Sequence, residues 1–462
     1  MTITASTAPM AAAPATLATL SADLAAGRVS SRSLLEACLA RIDDSAGEGD
    51  KTFLLVDRDA ARAQAEAVDA LRASGTAMPA TAGIPMSIKD LFDIAGQVTR
   101  AGSTVLSNCA PASVDAPSVA RLRRAGFVLV GRTNMTEFAF SGLGLNPHYG
   151  TPRNPWQRTQ GHVPGGSSSG AAVSVADGMA HAALGTDTGG SCRIPAAFTG
   201  LVGYKPTAHR VPQQGMVPLS PSLDSIGPIA RSVACCALLD ALLAAEAPPE
   251  LRDGSLSGRQ FAVPRTLVLE DLDRHVAGAF ESALSRMSAA GARIDEIDVP
   301  EFAELAAIHA RGTLSNAESF AWHRELLAGH AAEYDPRVRA RIEIGATQSA
   351  ADYAMLLDAR SRFIASVGRR IAGFHALLMP TVPVIPPRIA DLQADEAYFR
   401  TNTLVLRNSS VVNFLDGCAI SIPMHDIGQP PAGLTLACSG GLDRQLFNCA
   451  AAAERVVVAG SP

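Results

Sequence analysis

Two short loops rich in glycine and serine, separated by one helix-length and one strand-length segment, constrain this chain more than any other feature. The first loop, residues 164–170, reads PGGSSSG, and the second, residues 186–191, reads TDTGGS. Glycine adopts positive φ freely and allows other groups to approach the main chain, so such loops can direct several N–H groups at one point. That arrangement suits the binding of an anion or an oxyanion.

The segments between the loops predict that both loops lie at one end of a sheet. Residues 170–179 are small and apolar and predict a helix of roughly ten residues, about 15 Å long. Residues 182–186 predict a short buried strand that brings the chain back by about 16 Å. Ser191 should therefore lie at the same end of the sheet as Ser167.

Helical and extended patterns alternate along most of the 462 residues, which predicts an α/β fold. No internal repeat and no Pro/Ser-rich linker divides the sequence, so we expect one large domain. Residues 1–16 lack a positively charged start and contain two prolines, and we expect a flexible arm. An N-terminal helical region should follow over residues 17–75.

Charge and composition narrow the function classes. The chain has 39 basic and 44 acidic residues, a net charge of −5 and no basic run, so we expect no nucleic-acid partner and a small-molecule substrate. No apolar run approaches the roughly 20 residues that cross a bilayer, so we expect no membrane partner. The eight cysteines are scattered without CxxC spacing and predict reduced thiols in a cytoplasmic protein. The ten histidines form no HExxH motif, and we expect no metal and no cofactor.

A serine nucleophile in either loop needs a group that accepts its proton. Histidine is the usual partner, but His162 and His181 do not stand in a motif. Lys89 ends an apolar strand, and burial that lowers its pKa from about 10.4 to about 7 to 8 would cost about 4 kcal/mol. The alternative is a surface lysine paired with Asp90 or Asp93.

Both loops belong to longer motifs that resemble the amidase signature family. GGSSSG is followed by GTDTGGSCRIP, and GIPMSIKDLFDIAGQVTRAGS precedes both. Similar family-like form covers nearly the whole chain, in GRTNMTEFAFSG, NPHYGTPRNPW, GLVGYKPT, LLMPTVPV and RNSSVVNFLDGCAISIP. The resemblance implies a mixed, twisted central β-sheet covered by α-helices on both faces. It also implies a signature core over residues 80–230 and a C-terminal part, 255–462, that closes the substrate pocket.

The resemblance implies a Ser-cisSer-Lys triad, with Ser191 as the nucleophile, Ser167 as the bridging serine after a cis peptide, and Lys89 as the base. The oxyanion hole would consist of main-chain N–H groups, those of Thr188, Gly189, Gly190 and Ser191. The acyl pocket would be lined by Ala139, Phe140 and Ser141. Supporting roles are expected for Ser168, which would hydrogen-bond the lysine or its loop, and for Asp187 and Arg193, an ion pair that ties down the nucleophile loop.

These residues lead us to expect an amidohydrolase that cleaves a small, largely uncharged amide through an acyl-enzyme on Ser191. Carbamate or ester hydrolysis by the same triad is an alternative, and a homodimer is left open. A second alternative is the amide-cleaving A subunit of a glutamine amidotransferase complex. Those subunits carry an acidic residue that holds the glutamine amine where this chain has Leu406-Arg407-Asn408, which favours a self-standing amidase.

Two other classes fit the loops less well. Residues 166–170 match G-x-S-x-G, the nucleophile elbow of α/β-hydrolases, with Ser168 as the nucleophile. That motif needs a buried strand immediately before it, whereas residues 158–164 are polar and end in proline. A nucleotide-binding module would need a G-x-x-x-x-G-K-[ST] or a G-x-G-x-x-G motif after a strand, and the sequence contains neither in that context.

Overall fold

The computed structural model describes residues 15–251 and 254–458, so the predicted flexible arm falls outside the described residues apart from Ala15 and Thr16. Its strands form one eleven-stranded sheet. In chain order they are β1 (Phe53–Val56), β2 (Pro85–Lys89), β3 (Val128–Thr133), β4 (Ala182–Thr186), β5 (Val202–Lys205), β6 (Ile226–Ala230), β7 (Gln260–Pro264), β8 (Arg293–Ile297), β9 (Ala376–Pro380), β10 (Cys418–Pro423) and β11 (Gly433–Cys438).

Helices flank this sheet along the whole of the described chain. They are α1 (Leu17–Ala25), α2 (Ser31–Ile42), α3 (Gly49–Thr52), α4 (Arg58–Ala73), α5 (Pro117–Arg124), α6 (Ser169–Ala176), α7 (Arg193–Thr199), α8 (Val233–Ala244), α9 (Arg274–Ala289), α10 (Glu301–Ile308), α11 (Leu314–His330), α12 (Pro336–Glu343), α13 (Ala350–Ile371), α14 (Asp395–Phe414) and α15 (Asp443–Val457). Short 3-10 helices cover Glu137–Ala139, Arg158–Gln160, Ala331–Glu333, Ile344–Thr347 and Ile389–Leu392.

The sheet is mixed, in the order β1-β3-β2-β4-β6-β5-β10-β11-β9-β7-β8. Parallel pairing joins β2 to β3 and β4, and joins β7 to β8 and β9. The other neighbouring strands pair antiparallel. The predicted α/β fold, one large domain with a mixed sheet between helices, is confirmed. The predicted helical region over residues 17–75 contains α1 to α4 and the edge strand β1.

The segment between the two glycine loops folds nearly as its pattern predicts. The predicted strand over residues 182–186 is β4, with the same bounds. The predicted helix over residues 170–179 is shorter, because α6 ends at Ala176 and Gly178 follows with a left-handed φ of 72°. Strands β2 and β4 pair in parallel, so Lys89 at the end of β2 and the second glycine loop at the end of β4 lie at the same edge of the sheet.

The middle of the sheet is dry, which matters for the chemistry of its edge. Every residue of β2 and of β4 is buried, including Met86, Ile88 and Leu184 with no exposed surface. A charged side chain at the end of such a strand loses its hydration, and this loss costs free energy unless the fold supplies polar partners.

None of the helices in residues 15–251 and 254–458 is both long enough and apolar enough to cross a membrane. The eight cysteines are all free thiols, and Cys109 is the exposed member of the set.

Candidate active site

Lys89, the last residue of β2, lies fully buried at the edge of the sheet. Its Nζ donates hydrogen bonds to Ser167 Oγ at 2.8 Å and to Thr186 Oγ1 at 2.7 Å. Burial lowers the pKa of Lys89 to about 8, because the ammonium form loses its water. The alternative of a surface lysine paired with Asp90 or Asp93 does not hold, since Lys89 is buried and forms no ion pair among the described residues, while Asp90 pairs with Arg132 at 2.6 Å.

Ser167 lies in the first glycine loop, and the peptide bond between Gly166 and Ser167 is cis. The loop packs closely against a neighbouring segment of main chain. A Cβ on Gly166 would approach Gly144 N to 2.6 Å, so only glycine fits there. The main chain of Ser167 is also held, because its carbonyl accepts a hydrogen bond from Thr136 N at 3.1 Å.

The second loop is organised around the carboxylate of Asp187. Arg193 donates to both carboxylate oxygens, through Nη2 at 2.8 Å and Nε at 3.0 Å, and both residues are fully buried. Burial on its own would raise the pKa of Asp187, but the Arg193 guanidinium and a hydrogen bond from Asn413 outweigh it and hold that pKa well below its usual range. Asp187 is therefore a fixed negative charge that shapes the loop.

Main-chain N–H groups of the second loop fall into two sets. Gly190 N donates to Asp187 Oδ1 at 2.9 Å, and Cys192 N donates to Asp187 Oδ2 at 3.2 Å. The N–H groups of Thr188, Gly189 and Ser191 have no hydrogen-bond partner among the described residues. The expectation for the oxyanion hole therefore changes at Gly190, whose N–H is occupied by the Asp187 carboxylate.

Ser191 lines a cavity beside these free N–H groups and is 3% exposed. Within the described part of the chain its Oγ makes no hydrogen bond, so the structure joins Lys89 to Ser167 but does not join Ser191 to either. Ser168 Oγ donates to Thr186 O at 3.4 Å rather than contacting Lys89.

The cavity measures about 480 Å³ and contains all three residues expected to line it, Ala139, Phe140 and Ser141. Ser141 is held in place by a hydrogen bond from its Oγ to Asn402 Oδ1 at 2.9 Å. The C-terminal half of the chain supplies much of the remaining wall, including Leu305, Leu314, Arg341, Leu406, Arg407 and Phe414. These residues come from α10, α11, α12 and α14, or from positions next to them.

Several residues at the site escaped the sequence analysis. Thr186 is the second partner of Lys89, and its place in the GTDTGGS motif at the end of β4 was a usable signal. Asp224 accepts a hydrogen bond from Thr188 Oγ1 at 2.5 Å, and burial raises the pKa of Asp224 to about 6. Asn413 donates to Asp187 O at 3.1 Å and to Asp187 Oδ1 at 3.0 Å. Asp224 and Asn413 had no local sequence signal.

The two histidines nearest the loops in sequence lie elsewhere. His162 Nδ1 lies 2.6 Å from Pro386 O, and burial lowers the pKa of His181 to about 4. Neither residue lines the cavity that contains Ser191.

This chain matches a family model and is similar to several known proteins. A family model described as Amidase matches residues 33–447. The chain is 38% identical over 405 residues to 2-amino-5-chloromuconic acid deaminase of Comamonas testosteroni, covering 86% of each chain. It is 42% identical over 298 residues to the A subunit of glutamyl-tRNA(Gln) amidotransferase from Chromohalobacter salexigens, covering 62% of this chain and 60% of that one. A solved amidase structure, 30% identical, superposes with a TM-score of 0.87 over 96% of this chain and 100% of the other.

Proposed function

Because the chain belongs to the amidase signature family of amide-cleaving hydrolases, we propose that it hydrolyses a small amide through an acyl-enzyme on Ser191. Ser167 relays the proton of Ser191 to neutral Lys89. The single observation that carries this proposal is the fully buried Lys89 amine, 2.8 Å from Ser167 Oγ and without a carboxylate partner among the described residues.

The contacts of Lys89 suit a base. A neutral amine has one lone pair and two N–H groups, so Lys89 can accept the proton of Ser167 while it donates to Thr186 Oγ1. With a pKa of about 8, roughly a tenth of the lysine is neutral at pH 7. A pKa this close to neutral pH lets the same group accept a proton during attack and return it to the leaving amine.

The reaction proceeds in two halves. Ser191 Oγ attacks the amide carbon as its proton passes through Ser167 to Lys89, and the C–N bond breaks when the proton returns to the leaving nitrogen. Water then attacks the ester on Ser191 by the same proton path and releases the carboxylic acid. The free N–H groups of Thr188, Gly189 and Ser191 stabilise the oxyanion in both halves, and one such donor is typically worth about 100- to 1,000-fold in rate.

The substrate is small, because the cavity of about 480 Å³ limits it. The name of one relative, 2-amino-5-chloromuconic acid deaminase, contains an acid. Substrates that carry a carboxylate should therefore be tested beside neutral amides. Glutamine hydrolysis, with this chain acting as the A subunit of an amidotransferase complex, is a weaker candidate for the function. Arg407, which occupies the region where such subunits hold the glutamine amine with an acidic residue, lines this cavity and would repel an ammonium group.

The decisive experiment is hydrolysis of an amide panel, with p-nitrophenyl butyrate included as a neutral ester, by the purified chain and by Ser191→Ala. We expect the variant to lose about 1,000-fold or more in kcat. Mass spectrometry of protein quenched during ester turnover should place the acyl group on Ser191. Undiminished turnover by Ser191→Ala would refute the proposal.

Ser168→Ala is the matched control, since it removes the neighbouring hydroxyl of the same loop. The nucleophile-elbow alternative requires Ser168 to be essential, whereas we expect this variant to keep most of its activity. The structure also lacks the strand that an elbow needs, because the described chain before Ser168 forms the 3-10 helix Arg158–Gln160 and a loop.

A further inference from the structure

The charges that line the Ser191 cavity are of one sign. Arg341 and Arg407 both contribute to its wall, and the described lining includes no aspartate and no glutamate. Among the nearby carboxylates, Asp187 pairs with Arg193, Asp224 accepts from Thr188, and Glu270 and Asp271 lie near Arg407 without an ion pair to it. A substrate that enters this cavity therefore meets two guanidinium groups and no fixed negative charge on the wall.

Arg341 belongs to α12, and part of its guanidinium group has no hydrogen-bond partner. Its Nη1 donates to Phe140 O, and its guanidinium lies over the Phe140 ring at 4.3 Å from the centroid. Among the described residues its Nε and Nη2 have no partner, and no carboxylate forms an ion pair with it. Burial lowers the pKa of Arg341, but a guanidinium remains charged at any pH a protein tolerates.

Arg407 projects from α14 and is partly engaged. Its Nε donates to Asn408 Oδ1 at 3.1 Å, and its Nη2 donates to Glu270 O. Burial lowers the pKa of Arg407, and the nearby charges of Glu270 and Asp271 oppose that effect without an ion pair to either. Its Nη1 has no partner in residues 15–251 and 254–458, so this arginine also retains a free donor.

The two fully buried arginines of the described chain each have a carboxylate partner, unlike the half-buried Arg341 and Arg407. Arg132 pairs with Asp90, and Arg193 pairs with Asp187, both within 2.8 Å. A buried guanidinium without an anion costs free energy, and planar carboxylates are its preferred partners. Arg341 and Arg407 lack such a carboxylate where they line the cavity, so a ligand can supply the anion there.

Two contacts link these arginines to the walls around Ser191. Arg341 holds the carbonyl of Phe140, a residue of the pocket wall. Leu406, the neighbour of Arg407, packs over the nucleophile loop, since its Cδ2 lies 3.6 Å from where a Cβ on Gly189 would be. Both arginines thus belong to the same small cavity as Ser191.

We propose that the substrate of this site is an amide that also carries one or two carboxylates, bound by Arg341 and Arg407. The inference rests on the proposed function, because it assigns a substrate class to the same cavity. It replaces the sequence-based expectation of a largely uncharged amide. The carboxylate would satisfy the free donors of the arginines and orient the amide carbon toward Ser191.

The kinetic test compares succinamate with butyramide, which replaces the distal carboxylate by a methyl group. We expect kcat/KM for succinamate to exceed that for butyramide at least about 10-fold, since hydrogen bonds to charged groups are worth about 1.5 to 3 kcal/mol. Arg341→Gln and Arg407→Gln should each lower kcat/KM for succinamate about 10- to 100-fold, mainly through KM. Hydrolysis of p-nitrophenyl butyrate, which carries no carboxylate, should fall less than hydrolysis of succinamate in both variants. Arg324→Gln, an equal charge change at a side chain that is 67% exposed, is the matched control.

Binding without turnover gives a second readout. Four- to six-carbon dicarboxylates should raise the Tm of the wild-type chain and of Ser191→Ala, and the shift should shrink in Arg341→Gln. If Arg341→Gln fails to fold, the wild-type and Arg407→Gln measurements still decide. Equal kcat/KM for succinamate and butyramide, together with no dicarboxylate-dependent Tm shift in the wild-type chain, would overturn the anionic substrate even if Ser191→Ala is inactive. Full activity of Ser191→Ala would instead overturn the proposed function.

Discussion

At the scale of single residues, two buried lysines differ in their hydrogen-bond partners, and the difference bears on the base role proposed for Lys89. Burial lowers the pKa of both Lys89 and Lys205 to about 8. Lys205 donates to two main-chain carbonyls, Pro206 O at 2.9 Å and Gly417 O at 2.7 Å, which have no proton to give. Lys89 contacts two hydroxyl groups instead. The chemistry therefore depends on the partners as much as on the pKa.

This difference predicts the pH dependence. In the proposed mechanism Lys89 must be neutral to accept a proton, and its neutral fraction rises as pH rises through a pKa of about 8. We expect kcat/KM for a neutral substrate to increase with pH and to level off above about pH 9, because this ratio reports the free enzyme. The measurement is a pH–rate profile with p-nitrophenyl butyrate, corrected for spontaneous hydrolysis.

Lys205→Met is the control for that profile, since it removes a second buried amine with a similarly lowered pKa. It should keep the rising limb near pH 8, whereas Lys89→Met should lose both the limb and nearly all activity. A rising limb that survives in Lys89→Met would show that another group is the base.

At the scale of elements, the second glycine loop, which lies between β4 and α7 and carries Ser191, is shaped by close contact with α14. Gly190 has a φ of 126°, and a Cβ there would approach Ile194 Cδ1 to 2.5 Å and Ser409 Cβ to 2.6 Å. Because Gly190 N also donates to Asp187, any shift at this residue moves both Ser191 and the free N–H groups.

Gly190→Ala should therefore lower kcat about 100-fold or more, since a misplacement of about 1 Å can cost that much. Gly178→Ala is the matched control, because Gly178 also has a positive φ, 72°, but a Cβ there would meet nothing within 4 Å. Steady-state kinetics of both variants, with Tm measured alongside, tests the contact. Equal losses of kcat in the two variants would mean that the crowding at Gly190 is unimportant.

At the scale of the whole molecule, the two halves of the chain share one site. Lys89, Ser167 and Ser191 come from the first half, and Asn413 of α14 in the second half contacts the loop that carries Ser191. Asn413 Oδ1 accepts from Arg193 Nη2 at 2.6 Å, and its Nδ2 donates to Asp187. The C-terminal half therefore supports the nucleophile loop as well as forming the wall of the cavity.

Asn413→Ala should lower kcat about 10- to 100-fold and reduce the free energy of unfolding by about 1.5 to 3 kcal/mol, because it removes hydrogen bonds to two buried charges. Asn108→Ala, at an exposed position, should change neither quantity. The test combines steady-state kinetics with urea unfolding. An Asn413→Ala protein with wild-type kcat would show that the loop holds its shape without the C-terminal half.

Local pattern was enough for the parts of this protein that neighbours in sequence control. The period and length of residues 182–186 predicted β4, and the glycines of the two loops pointed to a cluster of N–H groups. The apolar strand that ends at Lys89 was compatible with a buried lysine, but only the resemblance to the amidase signature family favoured it over a surface lysine. These features depend on steric preference and strand periodicity, which act over a few residues.

The tertiary structure decided which polar groups are satisfied. It paired Gly190 N with Asp187, placed Thr186 beside Lys89, and left Arg341 and Arg407 unpaired in the cavity. Whether a guanidinium meets a carboxylate or faces a cavity depends on helices far apart in the chain that pack together only in the folded molecule. That is why the sequence predicted the reaction class, whereas the proposal of an anionic substrate required the complete cavity.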